Sequence, residues 1–191
     1  MMNVYIVPGF EASPESHWFN WLSNQVQQQG ATCETIAWTD SSQPDLALWN
    51  ADLKQQLTRL NTETVIIAHS LGCLATLNTL SEQLNVNNTK IKAIFWVAGF
   101  HENLLTLPEL NTFIQQSRVE QGLLRTYIQQ RYVFFSTNDR FVPAPLSIRF
   151  GHSLNAQMIE VKQAGHFTSS DGYNEFPQLW DYLKPILCHS N

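Results

Sequence analysis

Three polar residues in this chain have the types and the order that covalent catalysis requires. Ser70 lies in Ala68-His69-Ser70-Leu71-Gly72, Asp139 in Ser136-Thr137-Asn138-Asp139-Arg140-Phe141-Val142-Pro143, and His166 in Ala164-Gly165-His166-Phe167. A serine hydroxyl is a weak nucleophile at neutral pH. It becomes effective when an imidazole takes its proton and a carboxylate holds that imidazole in the right tautomer. Taken singly, each residue has a plain structural use: Ser as a helix cap, Asp in a turn, His beside Gly as an ordinary loop residue. Together they run in the chain order Ser, Asp, His, each just past a β-rich run, as in proteins whose nucleophile sits on a sharp strand-to-helix turn. The expectation is an acyl-enzyme mechanism with Ser70 as nucleophile, His166 as base and Asp139 as its acid partner. The turn favours small residues two before and two after the Ser, and Ala68 departs from Gly by one methyl group.

A tetrahedral oxyanion needs two fixed donors, and losing one typically costs roughly 3 to 4 kcal/mol of transition-state stabilisation. The N–H of Leu71 is the expected first donor. The second should come from Val7-Pro8-Gly9-Phe10-Glu11, at Phe10, with Glu11 as the alternative. Glu102, in Ala98-Gly99-Phe100-His101-Glu102, also follows an apolar run and is the rival to Asp139. Asp171 is too close in sequence to His166 for triad geometry and reads as a cap or turn. Cys73 reads as core filler and His69 as a local residue of the elbow. His17 and Phe167 are the expected substrate contacts, although an exposed helix histidine is an equally good reading of His17. Phe10, Trp18, Phe100, Phe141 and Phe167 together suggest a shallow apolar pocket for a small, uncharged acyl group. His101, His152 and His189 make no ligand spacing with Asp, Glu or Cys, and no multi-glycine loop with a Lys is present to cradle phosphate. Neither a metal nor another cofactor is expected.

The elements that must position these residues alternate. Val4–Val7, Thr32–Ile36, Val65–Ala68, Ile91–Val97, Tyr132–Phe135 and Gln157–Val161 are strand-like, and longer segments of helical period separate them. Near-continuous apolar runs such as Val65-Ile66-Ile67-Ala68 suit strands covered on both faces. The pattern predicts a three-layer α/β/α sandwich around a mostly parallel sheet of about six strands, in a single domain spanning residues 1–191. Ser13 with Pro14 is the expected start of a first helix bearing Trp18, Trp21, Leu22 and Val26 on one face and ending at Gly30. Leu46, Trp49, Leu53, Leu57 and Leu60 form a second stripe. Leu71 to Leu84 is a third helix, and Phe176, Leu179, Trp180, Leu183 and Leu187 mark the last. Residues 102–130, interrupted by Pro108 and Gly122, have room for two helices.

Composition narrows the function classes. The 191 residues are 43% hydrophobic and 12% aromatic, ample for a core without disulfides. A net charge of −5 with only 11 scattered Lys and Arg opposes a nucleic-acid partner. No apolar run approaches the ~20 residues of a membrane span, and the N-terminus has no leader pattern. Cys33, Cys73 and Cys188 are odd in number and far apart, as in reduced structural cysteines. The expected setting is cytoplasmic, without membrane association. Asn87-Asn88-Thr89 matches a glycosylation acceptor that such a setting makes irrelevant.

With these residues in view, the chain resembles the YdeN-like small serine hydrolases, the group that includes the vertebrate retinoblastoma-binding protein nine. The likeness covers essentially the whole chain. It is carried by Val7-Pro8-Gly9-Phe10, Ser13-Pro14, His17-Trp18-Phe19-Asn20-Trp21-Leu22, the elbow at Ser70, residues 136–143 and Ala164-Gly165-His166-Phe167. The resemblance implies a minimal α/β-hydrolase fold without the first antiparallel strands, with the triad carried over to Ser70, Asp139 and His166. Ala68 looks like an accepted variant, while Pro8 stands where larger relatives often have His before Gly. The implied reaction is hydrolysis of a small-molecule carboxylic ester. An acyltransferase or thioesterase would use the same triad, and a non-catalytic protein-interaction module on the same fold is a third class.

Overall fold

The structure, a computed structural model, describes residues 1–188, apart from the side chains of residues 85–87; His189 and the Asn87 side chain, both weighed above, lie outside the described part. Six strands, β1 (Asn3–Val7), β2 (Thr32–Thr35), β3 (Thr64–His69), β4 (Ile91–Val97), β5 (Ile128–Ser136) and β6 (Gln157–Val161), pair in the order β2-β1-β3-β4-β5-β6. Every pairing is parallel. Such a sheet needs cover on both faces, because parallel strands are joined by helices that cross over them.

Strand alternation delivers that cover. Tyr5, Val7, Ile66, Ala68, Ile94, Trp96 and Val133 face one core with α2 (Leu46–Gln56), α3 (Leu71–Asn87), α4 (Asn111–Gln116), α5 (Gln121–Tyr127) and α6 (Ala144–Ser153). Their neighbours Val4, Ile6, Val65, Ile67, Phe95, Val97 and Phe134 face the other, with α1 (Phe19–Gln28) and α7 (Pro177–Cys188). The sheet is therefore the middle layer of a sandwich. The order in which strands are added to the sheet reverses between β1 and β3, and the loops leaving the carboxyl ends of those two parallel strands open a crevice there, where α/β proteins place their sites. No described helix is long and apolar enough to cross a membrane.

Several element boundaries differ from the expectation, for local reasons. Ser13 does not start α1. Its N–H is taken by Ser16 Oγ at 2.9 Å, its own Oγ accepts from Glu15 N–H, and residues 13–18 form turns before the helix opens at Phe19. Gly30, at φ +79°, follows the helix end as expected. β5 begins at Ile128, four residues before the apolar run, because its pairing with Ile91–Ile94 of β4 continues through polar Gln130 and Arg131. Residues 102–127 hold two short helices and a 3-10 turn at 108–110.

Candidate functional site

Ser70 sits between β3 and α3 with φ +52° and ψ −125°, a conformation that an L-residue adopts only where its surroundings enforce it. The surroundings are tight. A Cβ on Gly72 would lie 2.3 Å from the Pro8 carbonyl oxygen and 2.7 Å from that of Val7, and one on Gly9 would lie 2.9 Å from Ser70 Cβ. Gly72 lets the first turn of α3 press against the end of β1. Gly9 lets the loop after β1 press against Ser70. Pro8-Gly9 is thus a close-approach element as well as a turn. Ala68 turns its side chain into the α3 core, where its methyl group is fully buried.

The hydroxyl of Ser70 donates to His166 Nε2 at 2.9 Å, and His166 Nδ1–H donates to Asp139 Oδ2 at 2.7 Å. The remaining oxygen, Oδ1, accepts the N–H groups of Phe141 at 2.8 Å and Val142 at 2.9 Å. A carboxylate so placed requires the proton on Nδ1 and leaves Nε2 as an acceptor. The Asp139 side chain is 1% exposed and that of His166 8%, so water competes little for the pair.

The loops bearing Asp139 and His166 are stitched together by side chains that sequence reasoning passed over. Ser136 Oγ, Thr137 Oγ1 and Asn138 Oδ1 accept from the N–H groups of Ala164, Gln163 and Gly165 at 2.8 to 3.0 Å. Asp171 Oδ2 accepts the His166 N–H at 2.9 Å and the Thr168 hydroxyl at 2.6 Å, completing a capping box with Thr168. Partial burial works to raise the Asp171 carboxyl, but the bonds from Thr168 and His166, helped by the charge of Arg140, outweigh it and hold the group below its ordinary value. Asp171 is therefore the cap it was expected to be, with the added task of holding the His166 main chain.

A cleft of ≈ 280 Å³ opens over Ser70 and His166. Phe10, Glu11, His17, Leu107, Arg140 and Phe141 are among its walls. Neither the Leu71 nor the Phe10 N–H has an acceptor among the described residues, whereas Glu11 N–H is committed to Ser41 O at 2.8 Å. That removes Glu11 as the alternative donor. His17 Nδ1 accepts the Ser169 N–H at 3.1 Å, so its ring proton is on Nε2; burial and the nearby His166 hold His17 below its ordinary pKa against the pull of Asp171.

Three expectations need correction. Phe167 does not line the cleft: it is fully buried against Tyr173 and Phe176, because at φ +57° its side chain turns into the α1/α7 core. Trp18 and Phe100 are core residues as well, which leaves Phe10 and Phe141 as the aromatic walls. The pocket is also less apolar than expected, since Glu11 and Arg140 bring charges of both signs to it. Glu102, the rival acid, is spent elsewhere in an exposed two-bonded ion pair with Arg149 at 2.7 and 2.9 Å. Cys73 is fully buried, and burial pushes its thiol far up.

Comparison with known proteins agrees with this architecture. The Bacillus subtilis protein YdeN is 33% identical over 180 residues, 94% of this chain and 93% of its own. The crystal structure of the B. subtilis ydeN gene product superposes with a TM-score of 0.88 at 28% identity, covering 98% of this chain and all of that one. An esterase from a Rhodococcus species, RhEst1, shares the fold with a TM-score of 0.62 at 12% identity, over 100% of this chain and 91% of its own. A family model described as serine hydrolase matches residues 4–185. On the strength of that near-complete match, this chain belongs to the serine hydrolase family and is a hydrolase of the α/β superfamily.

Proposed function

We propose that this hydrolase cleaves small carboxylic esters through an acyl-enzyme on Ser70. The observation that carries the reading is the unbroken hydrogen-bonded row from Ser70 Oγ through His166 to Asp139. Ser70 Oγ attacks the ester carbonyl carbon while His166 Nε2 takes the hydroxyl proton, and Asp139 stabilises the imidazolium so formed. The N–H groups of Leu71 and Phe10 receive the developing oxyanion. Collapse of the tetrahedral intermediate breaks the bond to the leaving alkoxide, which receives the proton held by His166 and departs as the alcohol. Water, deprotonated by the same imidazole, then attacks the acyl carbon, and the acid leaves as Ser70 regains its proton.

The ≈ 280 Å³ cleft fits a short acyl or alcohol group better than a long lipid chain. His17 offers a neutral Nε2–H at its wall, suited to an acceptor atom on the substrate. Ester cleavage is chemistry the fold is known to carry, as in the Rhodococcus esterase. The test is labelling with a fluorophosphonate probe followed by a series of p-nitrophenyl esters of rising chain length, with Ser70→Ala as the blank. Ser70-dependent labelling and fastest turnover of the short esters are expected. A folded protein that takes up no probe would overturn the reading, and product transfer to an added alcohol in preference to water would move it to acyl transfer.

A further inference from the structure

The loop that carries His166 is held in a conformation it would not choose. Gln163, Gly165 and Phe167, at alternate positions, all have left-handed backbone, with φ of +54°, +56° and +57°. Two of the three are not glycine, and such conformations persist where outside contacts over-determine them.

Gln163 and Gly165 are held through their N–H groups by the Thr137 and Asn138 side chains, and the stretch from His166 onward is held by three ring nitrogens from distant parts of the chain. His69 Nε2–H donates to the carbonyl oxygen of His166 at 2.9 Å. Trp18 Nε1–H donates to the carbonyl oxygen of Phe167 at 3.1 Å. His17 Nδ1 accepts the N–H of Ser169 at 3.1 Å. These partners are 97, 149 and 152 residues apart in sequence. Each histidine ring has its proton assigned by its partner. A carbonyl only accepts, so His69 carries the proton on Nε2; an amide only donates, so His17 is bare on Nδ1.

The arrangement has a cost that marks it as purposeful. His69 is buried with its Nδ1 lacking any partner among the described residues, an unusual expense for an acceptor sealed from water. Burial, with His166 and His17 close by, holds its pKa well below the ordinary value, so the ring stays neutral and its tautomer is not disturbed near pH 7. His17 has left-handed backbone at φ +54°, and its ring joins the loop after β1 to the loop after β6 through Ser169. The rings of His17 and His69 lie edge to face with centroids 5.6 Å apart, and those of His69 and His166 are tilted at 47° with centroids 5.0 Å apart.

The geometry points to His17, Trp18 and His69 as positioning residues that clamp the main chain from His166 to Ser169, at the His166 and Phe167 carbonyls and the Ser169 N–H, and so fix the loop that presents the His166 imidazole to Ser70. This rests on the reading of His166 as the base. His17 thereby gains a task beyond any contact with substrate, and the His17-Trp18 pair and His69 become parts of one device although the sequence places them in separate motifs.

The test uses the full chain and pairs each disabling change with one that restores the bond. His17→Ala removes the acceptor, and His17→Asn keeps one in its Oδ1. His69→Leu removes the donor, and His69→Gln keeps one in its amide. A displacement of His166 approaching 1 Å can cost on the order of 10²-fold in rate. His17→Ala and His69→Leu should therefore lower kcat by about 10- to 100-fold, whatever the lost substrate contact adds to KM in His17→Ala, and the Asn and Gln variants should recover most of the kcat loss. The second readout needs no substrate: the proton NMR signal of the His166 Nδ1–H bound to Asp139 should broaden in the disabled variants and sharpen again in the restored ones. His17→Ala covers the case in which His69→Leu does not fold, since His17 is only half-buried. A raised KM with unchanged kcat in His17→Ala, or a sharp signal in every variant, would overturn the clamp. A sharp wild-type signal that responds as expected, in a protein that no fluorophosphonate labels, would instead sink the ester reading and leave the clamp standing.

Discussion

Replacing Asp139 by Asn removes one charge and almost no volume, and the structure dictates which way the new amide must face. Oδ1 of Asp139 receives two backbone N–H groups, from Phe141 and Val142. An NH₂ group cannot occupy that position, so the amide oxygen stays there and the amide nitrogen faces His166 Nδ1. Two donors then oppose each other across the 2.7 Å that separates the partners now. His166 escapes by moving its proton to Nε2, and Nε2 can then no longer accept the Ser70 hydroxyl proton. The equivalent change in trypsin, which leaves geometry intact and fixes the wrong tautomer, costs roughly 10⁴-fold in kcat. At about 1.36 kcal/mol per decade that is about 5.4 kcal/mol of transition-state stabilisation, and the same loss is expected for Asp139→Asn. The fold should survive, because both backbone donors keep their acceptor. Glu102→Gln is the matched control: it breaks an exposed ion pair with Arg149, worth about 0 to 1 kcal/mol of stability, and should leave turnover intact. Steady-state hydrolysis of p-nitrophenyl acetate, with circular dichroism as the folding check, measures both. An Asp139→Asn enzyme retaining a tenth of its activity, or a Glu102→Gln enzyme losing most of it, would refute the assignment of the acid.

Gly9→Ala would bring a methyl group to 2.9 Å from Ser70 Cβ and 3.0 Å from the His69 carbonyl oxygen; a shift of the oxyanion loop approaching 1 Å should lower kcat on the order of 10²-fold, read from the same ester assay. Gly72→Ala would strike backbone oxygens of Pro8 and Val7 that cannot move aside, and should destabilise by about 3 kcal/mol, whereas Gly122→Ala, inside α5 with nothing within 4 Å, should stabilise by up to about 1 kcal/mol; urea unfolding separates the two. Asp171, whose folded pKa lies below its unfolded value, contributes stability that is present above the unfolded value of about 3.9 and lost as pH falls through the folded one. Asp171→Asn should flatten that acid limb in thermal melts recorded from pH 5 down to about pH 2. Thiol reagents should modify exposed Cys188 first and without loss of turnover, Cys33 slowly because burial pushes it up to about 11, and Cys73 only on unfolding; mass spectrometry against time gives the order.

What the sequence discloses depends on the range over which each feature is determined. Ile91–Val97 has the bounds that its largely apolar run indicates, because such a run is a local signal. β5 is longer than its apolar run because its first four residues are held by pairing with β4, and pairing leaves no mark on hydrophobicity. The start of α1 was hidden for a different reason: Ser13-Pro14 is a sound helix opening in isolation, and the turn of residues 13–18 is kept in place by His17 and Trp18 bonding a loop about 150 residues away. Phe167 departs from expectation for the same reason, since proximity to His166 in sequence says nothing about which side of a left-handed backbone a ring takes. Reacting groups are legible because chemistry fixes their types and the sheet fixes their order. The residues that aim them, Ser136, Thr137, Asn138 and Asp171 as well as the three rings, act through main-chain atoms that every residue possesses, so no residue type at the receiving end announces the contact. A sequence search for such a clamp must therefore look for the donors alone: polar rings next to a strand end, buried more deeply than a surface reading allows.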